Sequence, residues 1–98
     1  MVLIHTFDSY KLLKGDQTVF EVKGVDSVSP DLTAFYGICH AIHYCLKNKI
    51  NETIESNSKM AVKWVKEEKT TIETKRTREA LKYLKSIPTK KTLNIEFV

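Results

Sequence analysis

The chain has 98 residues, of which 42% are hydrophobic and 29% charged; this fits one domain and excludes a disordered chain, which is too polar to bury a core. Sixteen Lys and Arg against twelve Asp and Glu give a net charge of +4, an excess that admits a nucleic-acid partner without requiring one. No apolar run nears the ~18 residues that a transmembrane helix needs, and the opening MVLIHTFDSY lacks the basic start and long apolar stretch of a signal peptide, so no membrane partner is expected.

Val2 to Phe7 is apolar and partly β-branched, which predicts a buried strand. Lys14-Gly15-Asp16 reads as a turn. Thr18 to Lys23 alternates, with Val19, Glu21 and Lys23 on one side and Phe20 and Val22 on the other. That mixed face suits a strand near an edge, hairpinned with the first. Gly24 to Pro30 is loop. Ser29-Pro30-Asp31 then supplies a cap and an early helical proline. Leu32, Phe35, Ile38, Cys39, Ile42, Cys45 and Leu46 follow at helical spacing, widened by Ala34 and Ala41. So broad a stripe predicts the best-buried helix, ended by Lys47-Asn48-Lys49. Ile50 to Ser56 reads as a short strand. Asn57-Ser58 caps a second helix, with Met60, Ala61, Trp64 and Val65 inward. Thr70 to Arg76 is a polar connection. A third helix from about Thr77 presents Ala80, Leu81, Leu84 and Ile87, and Pro88 stops it. Thr92 to Val98 alternates as a strand, with Leu93, Ile95 and Phe97 on one face. The expected order is β-β-α-β-α-α-β, an α/β class with parallel later strands.

The stretch Ile54-Glu55-Ser56-Asn57-Ser58-Lys59-Met60-Ala61-Val62-Lys63-Trp64 resembles the strand-to-helix segment of the ribonuclease H family, where a Thr or Ser, an Asp, a Ser, an Ala and a Trp recur at this spacing. Asp31 to Gly37 stands where that family opens its long helix. Ile4-His5-Thr6-Phe7-Asp8-Ser9 stands where its first strand ends in a turn. The resemblance implies one ribonuclease H-like domain over 1–98, with a mixed sheet of a hairpin plus parallel strands and flanking helices.

The resemblance also implies what chemistry to look for. Family members hold two Mg²⁺ ions with carboxylates on neighbouring strands and the long helix. Without gaps, the first-strand position falls on Phe7, the helix Glu position on Phe35 and the middle-strand Asp on Asn57. Asp8 adjoins the first of these, but a shift of one residue changes the face of a strand. No counterpart of the family's final acidic residue or closing helix appears up to Val98. Two-metal hydrolysis needs negative ligands that hold two cations about 3.5–4 Å apart and offset their charge. Asn carries no charge and Phe no oxygen.

The expectation is therefore a non-catalytic domain, without a cofactor, that serves as a nucleic-acid-binding or protein-interaction module. The rival is a metal-dependent nuclease acting on RNA–DNA hybrids, using Mg²⁺ with Asp8 and Glu55. Those two could form a reduced site with Asn57, which two-residue spacing would put on Glu55's face of an extended strand; against this, Asn57 is an ordinary helix cap and Glu55 an ordinary solvated side chain. Lys59, Lys63, Lys66, Lys75, Arg76, Arg78, Lys82, Lys90 and Lys91 make the second half basic. In the family the matching helix and the basic segment after it contact the nucleic-acid backbone, so Lys59, Lys63, Lys75, Arg76 and Lys90 are the candidate phosphate contacts. Interleaved Glu67, Glu68, Glu73 and Glu79 would instead suit a plain solvated surface.

Cys39, His40, His43 and Cys45 invite a zinc reading, but a structural zinc takes four ligands, and both cysteines fall on the apolar stripe. A disulfide between them needs Cα atoms within about 7 Å, whereas six residues of helix rise about 9 Å. Reduced thiols imply an intracellular, cytoplasmic protein, where the Asn51-Glu52-Thr53 sequon carries no sugar. An uncovered sheet face or edge would invite a protein partner or a homodimer.

Overall fold

The computed structural model describes residues 1–87 and 94–98. Three strands open the chain: β1 (Val2–His5), β2 (Tyr10–Lys14) and β3 (Gln17–Val22). The long helix α1 (Pro30–Lys47) follows, then β4 (Ile54–Ser56), α2 (Lys59–Glu67), α3 (Lys75–Ser86) and β5 (Ile95–Phe97). This is a small α/β domain with a mixed five-stranded sheet in the order β3-β2-β1-β4-β5. The first three strands form an antiparallel meander, whereas β1 pairs parallel with β4 and β4 with β5.

The strand Tyr10–Lys14 corrects the expected order. β1 pairs with β2, in register Leu3 to Leu12, and the tight hairpin joins β2 to β3. Gly15, at a φ of +62°, makes the turn between them, a conformation open to glycine at little cost. β2 does not alternate cleanly, because Tyr10 and Leu12 point inward while apolar Leu13 points out beside Val2. The edge strand expected over Thr18 to Lys23 runs from Gln17 to Val22, with a register shift opposite Leu12 and Leu13.

α1 is the core's centre. Eleven of its eighteen residues are buried, from Leu32 through Cys45. Ser29 caps it, accepting from the Leu32 N–H, and Pro30 opens it. The helix lies across β1, β2 and β4, with α2 beside it reaching β5 and α3 against its other flank. Gly37 permits the close approach: a Cβ there would stand 2.8 Å from Leu3 Cδ2 and 2.9 Å from Tyr10 Cγ. Trp64 of α2 packs edge-on to Phe35 with ring centroids 6.1 Å apart.

Two helix starts differ from expectation. Ser58, not Asn57, caps α2, and Met60 in its first turn is 42% exposed while Val62 is buried. Met60 falls beside Lys59 and Lys63 on the exposed side of α2. α3 starts at Lys75 rather than Thr77, because Thr74 and Thr77 form a reciprocal capping box. Lys75 and Arg76 therefore belong to a helix and not to a connection. Within α3 and just past its end, Leu84 and Ile87 are buried and Ala80 and Leu81 partly so. Of the expected last strand, Ile95 is buried and Phe97 exposed; Thr92 and Leu93 lie outside the described residues, as do Pro88, Lys90 and Lys91. No helix is long and apolar enough to cross a membrane among the described residues.

Candidate functional site

In an open α/β sheet, ligands bind beyond the carboxyl ends of the parallel strands, where helices begin. Here that end is formed by the residues after β1 and β4 and by the starts of α1 and α2. The turn after β1 is closed locally: Thr6 N–H donates to the Ser9 carbonyl, and the Thr6 and Ser9 hydroxyls lie 2.6 Å apart. Two further bonds fix it to the fold. Val25 N–H donates to the Asp8 carbonyl at 2.8 Å, and the fully buried Thr33 hydroxyl of α1 donates to the Phe7 carbonyl.

After β4, the buried Ser56 hydroxyl accepts from the Ser58 N–H at 3.1 Å. The Ser58 hydroxyl accepts from the Ala61 N–H at 3.1 Å and donates to Asp31 Oδ1 at 2.8 Å. One hydroxyl thus caps α2 and ties its start to the first turn of α1. Asp31 also acts on His5, the last residue of β1: burial pushes the imidazole below its ordinary value, and the Asp31 charge opposes that shift. His5 Nδ1 is buried without a hydrogen-bond partner among the described residues.

The residues named as hydrolytic candidates stand apart from this cluster. Asp8 and Asn57 are exposed. The strand stops at Ser56, so Asn57 does not continue the face of Glu55. Glu55 points away from buried Ile54 and Ser56, onto the sheet face opposite the helices. Phe35, which the resemblance aligns with the family's long-helix carboxylate, is fully buried against Trp64. No group of three or more His, Cys, Asp and Glu side chains among the described residues could hold a metal ion.

The zinc candidates are likewise spread out. Cys39 is buried, and desolvation pushes its thiol up to about 12, so it stays protonated. Cys45 is buried as well, with its thiol also pushed up. His40 belongs to an aromatic cluster absent from the sequence-based expectations: its ring stacks on Phe20, centroids 3.9 Å apart and 8° from parallel, and its Nδ1 lies 2.9 Å from the Tyr10 hydroxyl. With the ring proton on Nε2, Nδ1 accepts from Tyr10. The cluster fastens the β2–β3 hairpin to α1. His43 is exposed, its Nδ1 3.1 Å from the Tyr83 hydroxyl of α3.

The basic candidates form the most distinctive surface. Lys59, Lys63 and Lys66 line the exposed side of α2, and Lys75, Arg78, Lys82 and Lys85 do the same on α3. None of them forms an ion pair among the described residues; the pairs there are Lys14 with Glu52 at 3.2 Å and Lys69 with Glu67 at 3.5 Å. Arg76 sits 4.3 Å above the Tyr36 ring of α1, a cation–π contact. Asp26, Leu32, Tyr36, Thr74, Lys75 and Arg76 line a cavity of about 330 Å³ between α1 and α3. The first turn of α1 therefore has Lys59 at the start of α2 on one flank and Lys75 and Arg76 at the start of α3 on the other. Neither the models of known protein families nor the curated proteins match this chain.

Proposed function

We propose that the chain is a ribonuclease H-like domain that binds nucleic acid through its phosphates and does not hydrolyse it. The resemblance at 54–64 and the mixed sheet with its hairpin, parallel strands and buried long helix support the family reading. The observation that carries the binding role is the set of exposed Lys and Arg at the starts and along the sides of α2 and α3, which form no ion pair among the described residues. Helix N-termini add their own positive dipole end, so the same end of the molecule attracts anions twice over. Recognition of this kind is sensitive to salt and blind to sequence. Buried, protonated thiols suit the reducing cytoplasm.

Fluorescence anisotropy on labelled RNA–DNA hybrid, duplex RNA and single strands tests the reading. Binding should appear at about 50 mM salt and fall steeply by about 200 mM, with a log–log slope of about −3 to −4 if four phosphates are neutralised. The quadruple variant Lys59→Glu, Lys63→Glu, Lys75→Glu, Arg76→Glu should lose binding to every sequence alike, whereas Lys47→Glu at the far end of α1 should not. Absence of binding at low salt, or indifference to the quadruple change, would sink the proposal.

A further inference from the structure

The cavity of about 330 Å³ between α1 and α3 has walls of opposite charge. On one side stands Asp26, in the loop before α1; on the other stand Lys75 and Arg76, at the start of α3. Asp26 makes no ion pair with either among the described residues, so the two walls are held apart. Both are fixed in place. The N–H of buried Val25 donates to the Asp8 carbonyl, and the Ser27 hydroxyl donates to the Ser29 carbonyl at 2.8 Å, which pins the loop on each side of Asp26. The Thr74–Thr77 capping box fixes the start of α3, and Arg76 rests on the Tyr36 ring. Between the charges lies an apolar wall of Val28, 68% exposed, with buried Leu32 and Tyr36.

A plain anion site does not account for Asp26, because a carboxylate repels a phosphate. A carboxylate accepts hydrogen bonds and donates none, so its wall calls for hydroxyl or amino donors. The fitting occupant carries an anion at one end, donors at the other and an apolar body between. On the phosphate-binding reading, on which this inference rests, we propose that the cavity takes one ribonucleotide with free 2′- and 3′-hydroxyls. Its phosphate lies on Lys75 and Arg76, its two adjacent hydroxyls donate to the two carboxylate oxygens of Asp26, and its base packs against Val28. A carboxylate takes the ribose hydroxyl in the same way in dinucleotide-binding folds.

Size and surroundings set which ribonucleotide. The volume lies at the lower end of the roughly 300–1,000 Å³ of small-molecule sites, which admits one nucleotide and no more. Lys75, Arg78, Lys82 and Lys85 recur at three- and four-residue spacing along α3, a single exposed face that leads to the cavity. A strand laid along that face ends in the cavity with its 3′-terminal nucleotide, the unit of an RNA chain whose two hydroxyls are both free. A free nucleoside 5′-monophosphate offers the same chemistry without the rest of the strand. DNA ends lack the 2′-hydroxyl, and internal RNA residues lack the free 3′-hydroxyl.

Fluorescence anisotropy at about 50 mM salt, where phosphate contacts are strong, tests the site with 5′-labelled RNA strands of one sequence that end in either a 2′,3′-diol or a 2′,3′-dideoxyribose. The diol end should bind about tenfold tighter, the effect of hydrogen bonds to a charged group. Asp26→Ala, at an exposed loop residue, should bring the diol strand down to the dideoxy strand, and should leave the dideoxy strand bound as tightly or more so. Adenosine 5′-monophosphate and its dideoxy counterpart, titrated by NMR chemical shift, separate the two sources. An Asp26-dependent preference for the diol in the strands assigns the cavity to the RNA end; the same preference in the mononucleotide alone assigns it to the free nucleotide. Strands that bind without such a preference, with mononucleotides that show none, overturn the inference and leave the phosphate reading intact. So does a preference that survives Asp26→Ala. Strands that do not bind at all overturn both.

Discussion

Ser58 does three things with one side chain: it caps α2, bonds Asp31, and through Asp31 joins the starts of two helices. Removing an N-cap hydroxyl costs about 1 kcal/mol, and here Asp31 also loses its partner. Ser58→Ala should therefore lower stability by about 1–2 kcal/mol, read from urea unfolding, while Asn57→Ala, at an exposed residue without a capping role, should change it by less than about 0.5 kcal/mol. Asn57 and Ser58 are equally good cap residues by type, so the sequence alone could not decide between them. Only the end of β4 at Ser56 and the reach of Asp31 select Ser58.

His40 makes a second prediction at this scale. Burial, helped by the neighbouring His43, pushes its imidazole below 6.5 in the folded state, and burial does the same to His5. The unfolded chain then binds more protons than the folded one as pH falls below about 6.5, so stability is lost from there down to the folded values and is level above. Thermal melts between about pH 5 and 8 should show this fall. His40→Gln should flatten it in part, since His5 remains; an unchanged slope would remove His40 from the account.

At the scale of the elements, the contact of α1 with the sheet governs stability, and Gly37 is its closest point. Gly37→Ala places a Cβ against Leu3 and the root of the Tyr10 ring. Overpacking of this kind costs about 1–3 kcal/mol, which should outweigh the gain of about 1 kcal/mol in helix propensity; a net stabilisation in urea would show that α1 and β1 can part cheaply. The long helix was legible because its stripe repeats over five turns and its cap, Ser29-Pro30, is explicit. β2 was not, because Leu13 faces outward and breaks the alternation that identifies a strand. The start of α3 was missed for a related reason: a Thr–Thr capping box in a polar stretch has no apolar periodicity to announce it. The Tyr10–His40–Phe20 cluster joins residues up to thirty positions apart, and no local pattern relates them.

At the scale of the molecule, the sheet separates two surfaces. The helical side carries Lys and Arg that form no ion pair among the described residues, and the opposite side carries half-exposed Val2 and Ile4. The basic residues were readable from the sequence; their freedom from the interleaved Glu residues was not, since pairing depends on which helix faces they share. Phe35 belongs to the apolar stripe that the sequence shows, and it is fully buried against Trp64. The proposed function is to hold nucleic acid without cutting it. Its most direct test is a single incubation of end-labelled RNA–DNA hybrid with the protein and Mg²⁺ or Mn²⁺ at low salt, followed on native and denaturing gels. The prediction is a shifted complex on the native gel whose strands remain full length on the denaturing gel. Metal-dependent shortening of the RNA strand, abolished by Asp8→Asn or Glu55→Gln, would contradict it.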